Sequence, residues 1–282
     1  MTADRLTPAQ LEAYCHRIGW TGALRADPET LHAIHARHSA AIPFENIDVQ
    51  LGMVPSREPA AVFAKLVTAR RGGWCHEQNT LLGLVLATIG WRVQRINAGV
   101  ARPDGTIPSM GSHLTLKVMA EDRAWLVDAG FGSWIGAPLP LEPGTSPLAP
   151  WPITLVRDAG EKWWLTADLG THAMTFAFFD APGDEALLAE NCQWQSRNPA
   201  SRFVQNLMVQ RREDGCDWTL GGRVLTETTA DGQNIRVLTD SADLLRVLRD
   251  RFGLDVPAVA ALWPALVARH ALADQAPAEP TT

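Results

Sequence analysis

The sequence lacks the features that mark membrane, secreted and nucleic-acid-binding proteins. Its longest apolar stretch, Leu81 to Ile89, is too short to span a bilayer. The first residues have no apolar segment behind them, so we expect no signal peptide. Lysine and arginine form no long run and the net charge is −6, which argues against a basic surface for nucleic acid. We therefore expect a cytoplasmic protein whose partners are neither membranes nor nucleic acids.

Cysteine is scarce as well. The chain has four, Cys15, Cys75, Cys192 and Cys216, at wide spacing and without a C-x-x-C pair. This pattern is not that of a disulfide framework or of a zinc knuckle. In a reducing cytoplasm each cysteine would remain a free thiol, and we expect no bound metal.

One of these cysteines stands at a helix start. Gly72 and Gly73 precede Cys75, which opens an apolar stretch that ends at Gly90. The pattern predicts a flexible turn followed by a buried helix, with Cys75 in or just before the first turn. Unpaired N–H groups and the helix dipole favour a thiolate there, and the glycines would keep it reachable. A small buried hydrophobe would explain a lone cysteine equally well, so its neighbours have to decide.

The chain is long enough, at 282 residues, for two or three structural units. Its first third has the capping residues and the apolar spacing of helices. The predicted helices begin at Pro8 and Pro28, cover 60–70, and follow Cys75. After Gly90 the apolar residues alternate, which favours a small antiparallel sheet or barrel. The predicted strands of this part are 91–100, 113–118, 124–128, 152–157 and 162–166.

The last third of the chain mixes strands and helices. Residues 191–199 are expected to be irregular, and the polar, proline-rich tail 274–282 to be disordered. The predicted elements between them are a strand at 203–209, a hairpin of 223–228 and 234–238, and helices that follow a Ser241 cap and Pro257.

Three histidines recur every third residue in the second predicted helix. His32, His35 and His38 suggest a metal site, but no carboxylate or cysteine accompanies them at suitable spacing. We interpret them as a solvated and partly packed helix face.

Two residues of the strand region could serve Cys75. His113 begins a predicted strand and Asp128 ends the next, so in a hairpin both lie at one end of the sheet. A carboxylate that holds one nitrogen of an imidazole presents the other nitrogen to a nucleophile. Taken singly, His113 could be a strand-edge histidine and Asp128 the start of a glycine-rich turn.

The order and the surroundings of these residues favour the chemical interpretation. Four motifs follow one another along the chain and closely resemble those of the arylamine N-acetyltransferase family. They are IPFEN at 42–46, RGGWCHEQN at 71–79, His113 at the start of a strand, and VDAGFG at 127–132. The resemblance covers most of residues 10–140, and beyond about residue 190 only NPASRF at 198–203 resembles the entry to the family's third domain.

The resemblance implies an α+β architecture of three parts. An N-terminal helical bundle, residues 1–90, would carry the nucleophilic cysteine. A central antiparallel β-barrel, residues 91–190, would carry histidine and aspartate, and a C-terminal α/β lid, residues 191–273, would help to form the cleft. The core would be similar to the Cys-His-Asp core of the papain and transglutaminase group.

The resemblance also implies a reaction. Cys75 would take an acetyl group from acetyl-CoA, release CoA, and pass the acetyl group to the nitrogen of an aromatic amine or hydrazine, a ping-pong route through a thioester intermediate. His113 would relay protons while Asp128 holds the imidazole. Acetyl-CoA would be a co-substrate, no metal would take part, and the setting would be xenobiotic metabolism.

Positions within the motifs, and in the segment just before His113, imply further contacts. The residues implied to contact the acceptor are Phe44, Ser112 and Phe131, and those implied to contact CoA are Ser109, Gly130 and Gly132. Arg71 and Glu45 are interpreted as an ion pair within the helical part. The segment 133–136 is bulkier than the small or polar loop of the family, so the resemblance leaves the size of the acceptor open.

Other chemistries would use the same three residues. An amide synthase-type homologue would take another acyl donor, and a hydrolase of the cysteine peptidase or transglutaminase kind would pass the acyl group to water. A non-catalytic homologue would only bind CoA or another ligand. The presence of Cys75, His113 and Asp128 together favours catalysis over binding.

Overall fold

The first helices begin where their capping residues predict. A computed structural model describes residues 5–147, 151–169, 173–213 and 215–275. Thr7 Oγ1 accepts a hydrogen bond from the Gln10 N–H at 3.3 Å, and the Gln10 side chain accepts one from the Thr7 N–H. Asp27 caps the second helix through the Thr30 N–H. The elements of this part are α1 (Pro8–Arg17), α2 (Pro28–Ala41), β1 (Phe44–Glu45), α3 (Ile47–Gln50), α4 (Pro59–Phe63) and α5 (Cys75–Ile89).

The predicted helix at 60–70 is interrupted. Beyond α4 the backbone widens into a π-helical segment, Ala64–Thr68. Lys65 of this segment forms ion pairs with Asp48 at 2.7 Å and with Glu77 at 2.8 Å. The ion pairs tie the wide turn to α3 and α5.

The middle of the chain forms an eight-stranded antiparallel sheet after Gly90, whose φ of 131° ends α5. Its strands are β2 (Arg92–Val100), β3 (His113–Ala120), β4 (Arg123–Val127), β5 (Leu139–Pro140), β6 (Gly144–Ser146), β7 (Ile153–Arg157), β8 (Lys162–Asp168) and β9 (Ala173–Phe179). The order is β5-β4-β3-β2-β9-β8-β7-β6. Residues 141–143 alone connect the two edge strands, so the sheet curls into a nearly closed, barrel-like shape.

Strand β9 was not predicted from the sequence. It pairs with β2, where Gly99 lies opposite Ala177, and with β8 along its length. Phe176 and Phe178 of this strand are fully buried, as is Ala177 between them. Because buried and exposed positions do not alternate here, the two-residue period that reveals a strand is absent.

The last part of the chain builds a five-stranded antiparallel sheet that includes β1. The order is β1-β10-β11-β12-β13, and Phe44 lies opposite Gln210. The new elements are α6 (Glu185–Arg197), α7 (Arg202–Gln205), β10 (Met208–Glu213), β11 (Cys216–Gly221), β12 (Val224–Thr229), β13 (Gly232–Val237), α8 (Ser241–Phe252), a 3₁₀ segment (Pro257–Leu262) and α9 (Trp263–Gln275). The N-terminal part thus contributes a strand to the C-terminal sheet. The division of the chain at residues 90 and 190 stays a prediction.

Three predictions for the last third were wrong. Residues 191–199 are largely helical, because Asp184 caps α6 by accepting hydrogen bonds from the first N–H groups of the helix. The start of the predicted strand 203–209 is also helical, because Ser201 Oγ caps the short α7. Helix α8 does begin at Ser241, but its cap is the preceding aspartate. Residues 276–282, most of the tail predicted to be disordered, lie outside the described residues.

A shared core holds α5 against the barrel-like sheet. Leu82 and Val85 of α5 pack in one buried cluster with Leu116 and Val118 of β3 and with Ile34 of α2. The N-terminus of α5 is thereby fixed beside the β3–β4 hairpin. Among the described residues, no helix combines the length and apolar character needed to cross a membrane.

Candidate active site

Cys75 is the first residue of α5 and lines a cavity, although only 4% of its surface is exposed. Gly72 and Gly73 are buried and do not line this cavity, so the expectation that they keep the thiol reachable was wrong. A Cβ at Gly72 would lie 2.2 Å from Pro43 O, and one at Gly73 would lie 2.7 Å from Glu77 Oε2. Both glycines are needed for the close packing of the loop that delivers Cys75.

His113 and Asp128 meet at one end of the β3–β4 hairpin, where the two strands are antiparallel neighbours. His113 Nε2–H donates a hydrogen bond of 2.6 Å to Asp128 Oδ2. The other carboxylate oxygen accepts hydrogen bonds from Asn79 Nδ2 at 2.9 Å and from the Gly130 N–H at 2.7 Å. Both oxygens of the buried carboxylate therefore have partners, and the ring is held in one orientation.

Asn79 joins α5 to both strands of the hairpin. Its Nδ2 donates to Leu114 O at 2.6 Å as well as to Asp128, and its Oδ1 accepts from the Ala129 N–H at 3.0 Å. Asn79 lies about one helical turn beyond Cys75, on the same side of α5. The same amide thus fixes the distance between the cysteine helix and the hairpin.

The ring of His113 carries a positive charge at neutral pH. Burial alone would lower the pKa of His113, but the charge of Asp128 and the hydrogen bonds with Asp128 and Cys75 raise it to about 10. Burial would raise the pKa of Asp128, but the ionic and hydrogen-bond contacts with His113, Asn79 and Gly130 bring it below its usual value. A positively charged ring of this kind stabilises an anion that forms in the cavity it lines.

The histidine face of α2 is buried at two of its three positions rather than solvated. His35 Nε2–H donates to Asp128 O at 3.0 Å, and His38 hydrogen-bonds Tyr14 at 2.9 Å and Gln78 at 2.8 Å. Burial lowers the pKa of His35 and brings the pKa of His38 to about 3, so both rings are neutral. In the part of the chain that the structure describes, no group of histidine, cysteine and acidic residues could hold a metal ion.

Cys75 and His113 line a cavity with about 490 Å³ of empty space. Much of its wall is aromatic, and a few polar side chains interrupt it. The aromatic residues are Phe44, Phe131, Trp134 and Phe203, and the polar ones are Ser112, Gln195, Arg202 and Gln210. Phe131 also contacts the ring of His113 at 5.3 Å between centroids. A cavity of this kind suits a small planar ligand that has a few polar groups.

The two serines predicted to contact ligands differ in position. Ser112 lines the Cys75 cavity, whereas Ser109 lines only the neighbouring one. Ser112 Oγ accepts from the Val100 N–H at 3.0 Å and donates to Ser109 O at 3.0 Å. The hydroxyl group of Ser112 therefore connects β2 to the loop before His113.

The two glycines predicted to contact CoA both line the Cys75 cavity. A Cβ at Gly130 would lie 2.5 Å from Cys75 Cα, so Gly130 lets the loop after β4 pack directly against the nucleophile. Gly132 has a φ of 65°, and a Cβ there would lie 2.2 Å from Gln210 Oε1. Backbone geometry and close packing explain both glycines without a ligand.

Known proteins resemble this chain in sequence and in the arrangement of its helices and strands. A family model for N-acetyltransferases matches residues 27–261. The arylamine N-acetyltransferase of Mycolicibacterium smegmatis is 34% identical over 253 residues, which are 87% of this chain and 92% of that protein. The chain belongs to the arylamine N-acetyltransferase family. It is therefore an enzyme of the acetyltransferase class.

Solved structures of arylamine N-acetyltransferases have the same fold. The enzyme of Mycobacterium tuberculosis matches with a TM-score of 0.83 and 34% identity, over 92% of this chain and 99% of that one. The Mycobacterium marinum enzyme, solved in complex with CoA, matches with a TM-score of 0.82 and 34% identity, over 92% of this chain and 97% of that one. These matches confirm the predicted mixed helix-and-sheet architecture of this acetyltransferase.

Several residues of the acetyltransferase site were missed in the sequence. Asn79 was recognised only as part of a motif, although its position one turn beyond Cys75 could have indicated a shared face. Gln195 and Gln210 come from the C-terminal part and carry no local signal of a site, and Arg202 was noticed only as part of the NPASRF motif. Only the packing of α6, α7 and β10 against the cavity reveals them.

Proposed function

We propose that this acetyltransferase moves an acetyl group from acetyl-CoA to the nitrogen of an arylamine or arylhydrazine through an acetyl-cysteine at Cys75. The observation that carries the proposal is that Cys75 lines the same cavity as His113, whose ring Asp128 holds at 2.6 Å. The three residues form a Cys-His-Asp core like that of the papain and transglutaminase group. The CoA complex of the Mycobacterium marinum relative supports a CoA thioester as donor.

The first half-reaction forms the acetyl-enzyme. The Cys75 thiolate attacks the carbonyl carbon of acetyl-CoA, and the thioester bond to CoA breaks as the new one to Cys75 forms. His113 gives its proton to the departing CoA thiolate, so free CoA leaves and His113 becomes neutral. The nearby Asp128 carboxylate steadies the ring in both protonation states.

The second half-reaction regenerates the enzyme. The amine nitrogen attacks the acetyl carbonyl, neutral His113 takes one proton from that nitrogen, and Cys75 departs as a thiolate. The thiolate–imidazolium pair is then restored, which makes the route ping-pong. Because Cys75 is almost wholly buried, bulk water has little access to the thioester, which favours transfer over hydrolysis.

The remaining contacts follow from the cavity wall. Phe44 and Phe131 would stack on the aryl ring of the acceptor, and Ser112 would lie beside it. Gly130 and Gly132 would bring the backbone close to the acetyl group of the donor. Ser109 would meet CoA in the neighbouring cavity. We further propose a cytoplasmic location, where acetyl-CoA is available and Cys75 stays reduced.

The test is to detect the intermediate. The protein is incubated with acetyl-CoA and no acceptor, and peptide mass spectrometry locates acetyl groups. We expect an acetyl group on Cys75, its loss when an aniline or a hydrazine is added, and no transfer by Cys75→Ala.

Cys216→Ala is the matched control, because Cys216 lies in the C-terminal sheet away from the cavity. It should acetylate amines like the wild type. Absence of an acetyl group on Cys75, or amine acetylation by Cys75→Ala, would refute the mechanism. Free acetate that forms faster than the acetylated amine would indicate a hydrolase instead.

A further inference from the structure

Arg202 lines the Cys75 cavity and has no role in the proposed mechanism. Among the described residues that line the Cys75 cavity, it alone carries a permanent positive charge, and none is acidic. It lies at the start of α7 and also lines the neighbouring cavity, so it stands where the two spaces meet.

Among the described residues, the charge of Arg202 has no ionic partner. Its guanidinium lies over the ring of Phe203, 5.8 Å from the centroid. Within the described part of the chain no carboxylate forms an ion pair with it. The residue is exposed, and its side chain lines both cavities. An accessible guanidinium without an ionic partner can pair with an anion that enters these cavities.

The aromatic wall of the cavity leads from Arg202 towards Cys75. Phe203 lies 6.3 Å from Phe44 between ring centroids, and both line the cavity that contains Cys75. An aryl ring that stacks on this wall would present its two ends to different groups. The amine end would face Cys75, and a substituent on the opposite side would face Arg202.

We infer that Arg202 binds an anionic substituent of the acceptor, so that the enzyme prefers arylamines that carry a carboxylate. The inference rests on the proposed function, because it needs the aryl acceptor to occupy the Cys75 cavity. A carboxylate matches the planar fork of a guanidinium and can accept two parallel hydrogen bonds. Stacking on Phe203 fixes that fork in advance.

The chain offers a matched control in Arg102. This arginine lines the neighbouring cavity but not the cavity of Cys75, and its side chain is exposed. Replacement of either arginine by glutamine removes one positive charge from the same region. A general electrostatic effect on the phosphates of CoA would appear in both variants, whereas recognition of the acceptor would appear only at Arg202.

The test compares two acceptors that differ only in charge, 4-aminobenzoate and its methyl ester. The ratio of their kcat/KM values is measured for the wild type, Arg202→Gln, Arg202→Lys and Arg102→Gln. We expect a wild-type preference for 4-aminobenzoate and a ratio about tenfold or more lower in Arg202→Gln, as for the loss of a charge-assisted hydrogen bond. Arg202→Lys should keep part of the preference, and the ratio of Arg102→Gln should stay within about twofold of the wild type.

Acetylation of Cys75 by acetyl-CoA without acceptor is measured in parallel, because a ping-pong route separates it from the acceptor step. An unchanged ratio in Arg202→Gln overturns the inference, and so does slower acetylation of Cys75 with the ratio intact, which would assign Arg202 to CoA. Thermal unfolding verifies that each variant is folded, and Arg202→Lys repeats the test with the charge retained. If wild-type Cys75 takes no acetyl group, the proposed function fails, whereas normal acetylation with an unchanged ratio removes only the role of Arg202.

Discussion

At the scale of single residues, the protonation of His113 sets the charge of the site. The pKa of His113 is about 10 in the folded protein and 6.5 for an ordinary histidine. Because the folded value is the higher one, the stability that this interaction contributes is fully present below pH 6.5 and is lost as the pH rises to about 10. Over the whole neutral range, therefore, the ring of His113 between Asp128 and Cys75 is positively charged.

This charge predicts a difference in reactivity among the cysteines. Burial raises the pKa of Cys15 and of Cys216, and raises that of Cys192 to about 12, so these thiols stay protonated at mildly acidic pH. Cys75 instead lines the same cavity as the charged ring of His113, which we propose activates it as the nucleophile. Iodoacetamide at mildly acidic pH should label Cys75 at least about tenfold faster than the other three, as read by peptide mass spectrometry.

The variant His113→Gln supplies the control for this labelling, because it removes the imidazolium and keeps a polar side chain. Its Cys75 should react more slowly. Equal labelling of the four cysteines in the wild type would contradict the proposed activation of Cys75 by His113.

At the scale of elements, the site depends on how closely the loop after β4 approaches the start of α5. Gly130 touches the backbone of Cys75, and its N–H donates to Asp128, so one residue contacts both ends of the arrangement. From the helix side, Asn79 donates to Asp128 and accepts from the Ala129 N–H. Cys75 and Asp128 are therefore positioned by a packed interface between helix and hairpin rather than by a flexible loop.

Gly130→Ala should damage this interface. The added Cβ would lie 2.5 Å from Cys75 Cα and 2.8 Å from Asn79 Nδ2, so helix and loop must separate. We expect a loss of about 1–3 kcal/mol in the free energy of unfolding and of about a hundredfold in kcat/KM. Urea denaturation and steady-state acetylation of an arylamine measure the two effects.

Gly144→Ala is the matched control in β6, where no atom lies within 4 Å of an added Cβ and the backbone is extended. It should change the free energy of unfolding by no more than about 0.5 kcal/mol. Wild-type activity in Gly130→Ala would mean that this close contact does not set the position of Cys75.

At the scale of the whole molecule, a buried ion-pair network ties the C-terminal sheet to the helices. Arg71 bonds Glu45 at 2.7 Å and Asp48 at 2.8 Å, while Lys65 bonds Asp48 and Glu77. Two cations thus face three carboxylates. Burial, with the charges of Glu45 and Asp48, raises the pKa of Glu77 to about 7 despite Lys65. The network can therefore hold one proton and stay close to neutral, while it links β1, α3, α5 and the π-helical segment.

Arg71→Ala should weaken the whole fold. It leaves the fully buried Glu45 and the largely buried Asp48 without their shared cation, and breaking such a buried pair costs about 3–5 kcal/mol. The free energy of unfolding in urea should fall by that amount. Arg249→Ala removes an exposed pair with Asp255 at 4.0 Å and should cost no more than about 1 kcal/mol. Equal losses in the two variants would argue against the network as a structural link.

The parts of the fold that the sequence predicted correctly are those that depend on near neighbours. The capping box of Thr7 and Gln10, the start of α5 at Cys75 and the β3–β4 hairpin all follow from residues a few positions apart. The predicted ion pair of Arg71 and Glu45 also formed, and it joins two of the family's motifs that lie 26 residues apart. Helix α6 was missed although its cap, Asp184, is local.

The sequence by itself determined which residues we propose to react, since Cys75, His113 and Asp128 stand in motifs whose chemistry depends on residue type and order. Only the tertiary structure decided how they meet and what surrounds them. His35 bonds the backbone oxygen of Asp128, Gly130 packs against Cys75, and Arg202 lines the Cys75 cavity. Each of these contacts joins parts of the chain that are far apart. Contacts of this kind arise from the packing of helices against two sheets, and no local pattern of residues encodes them.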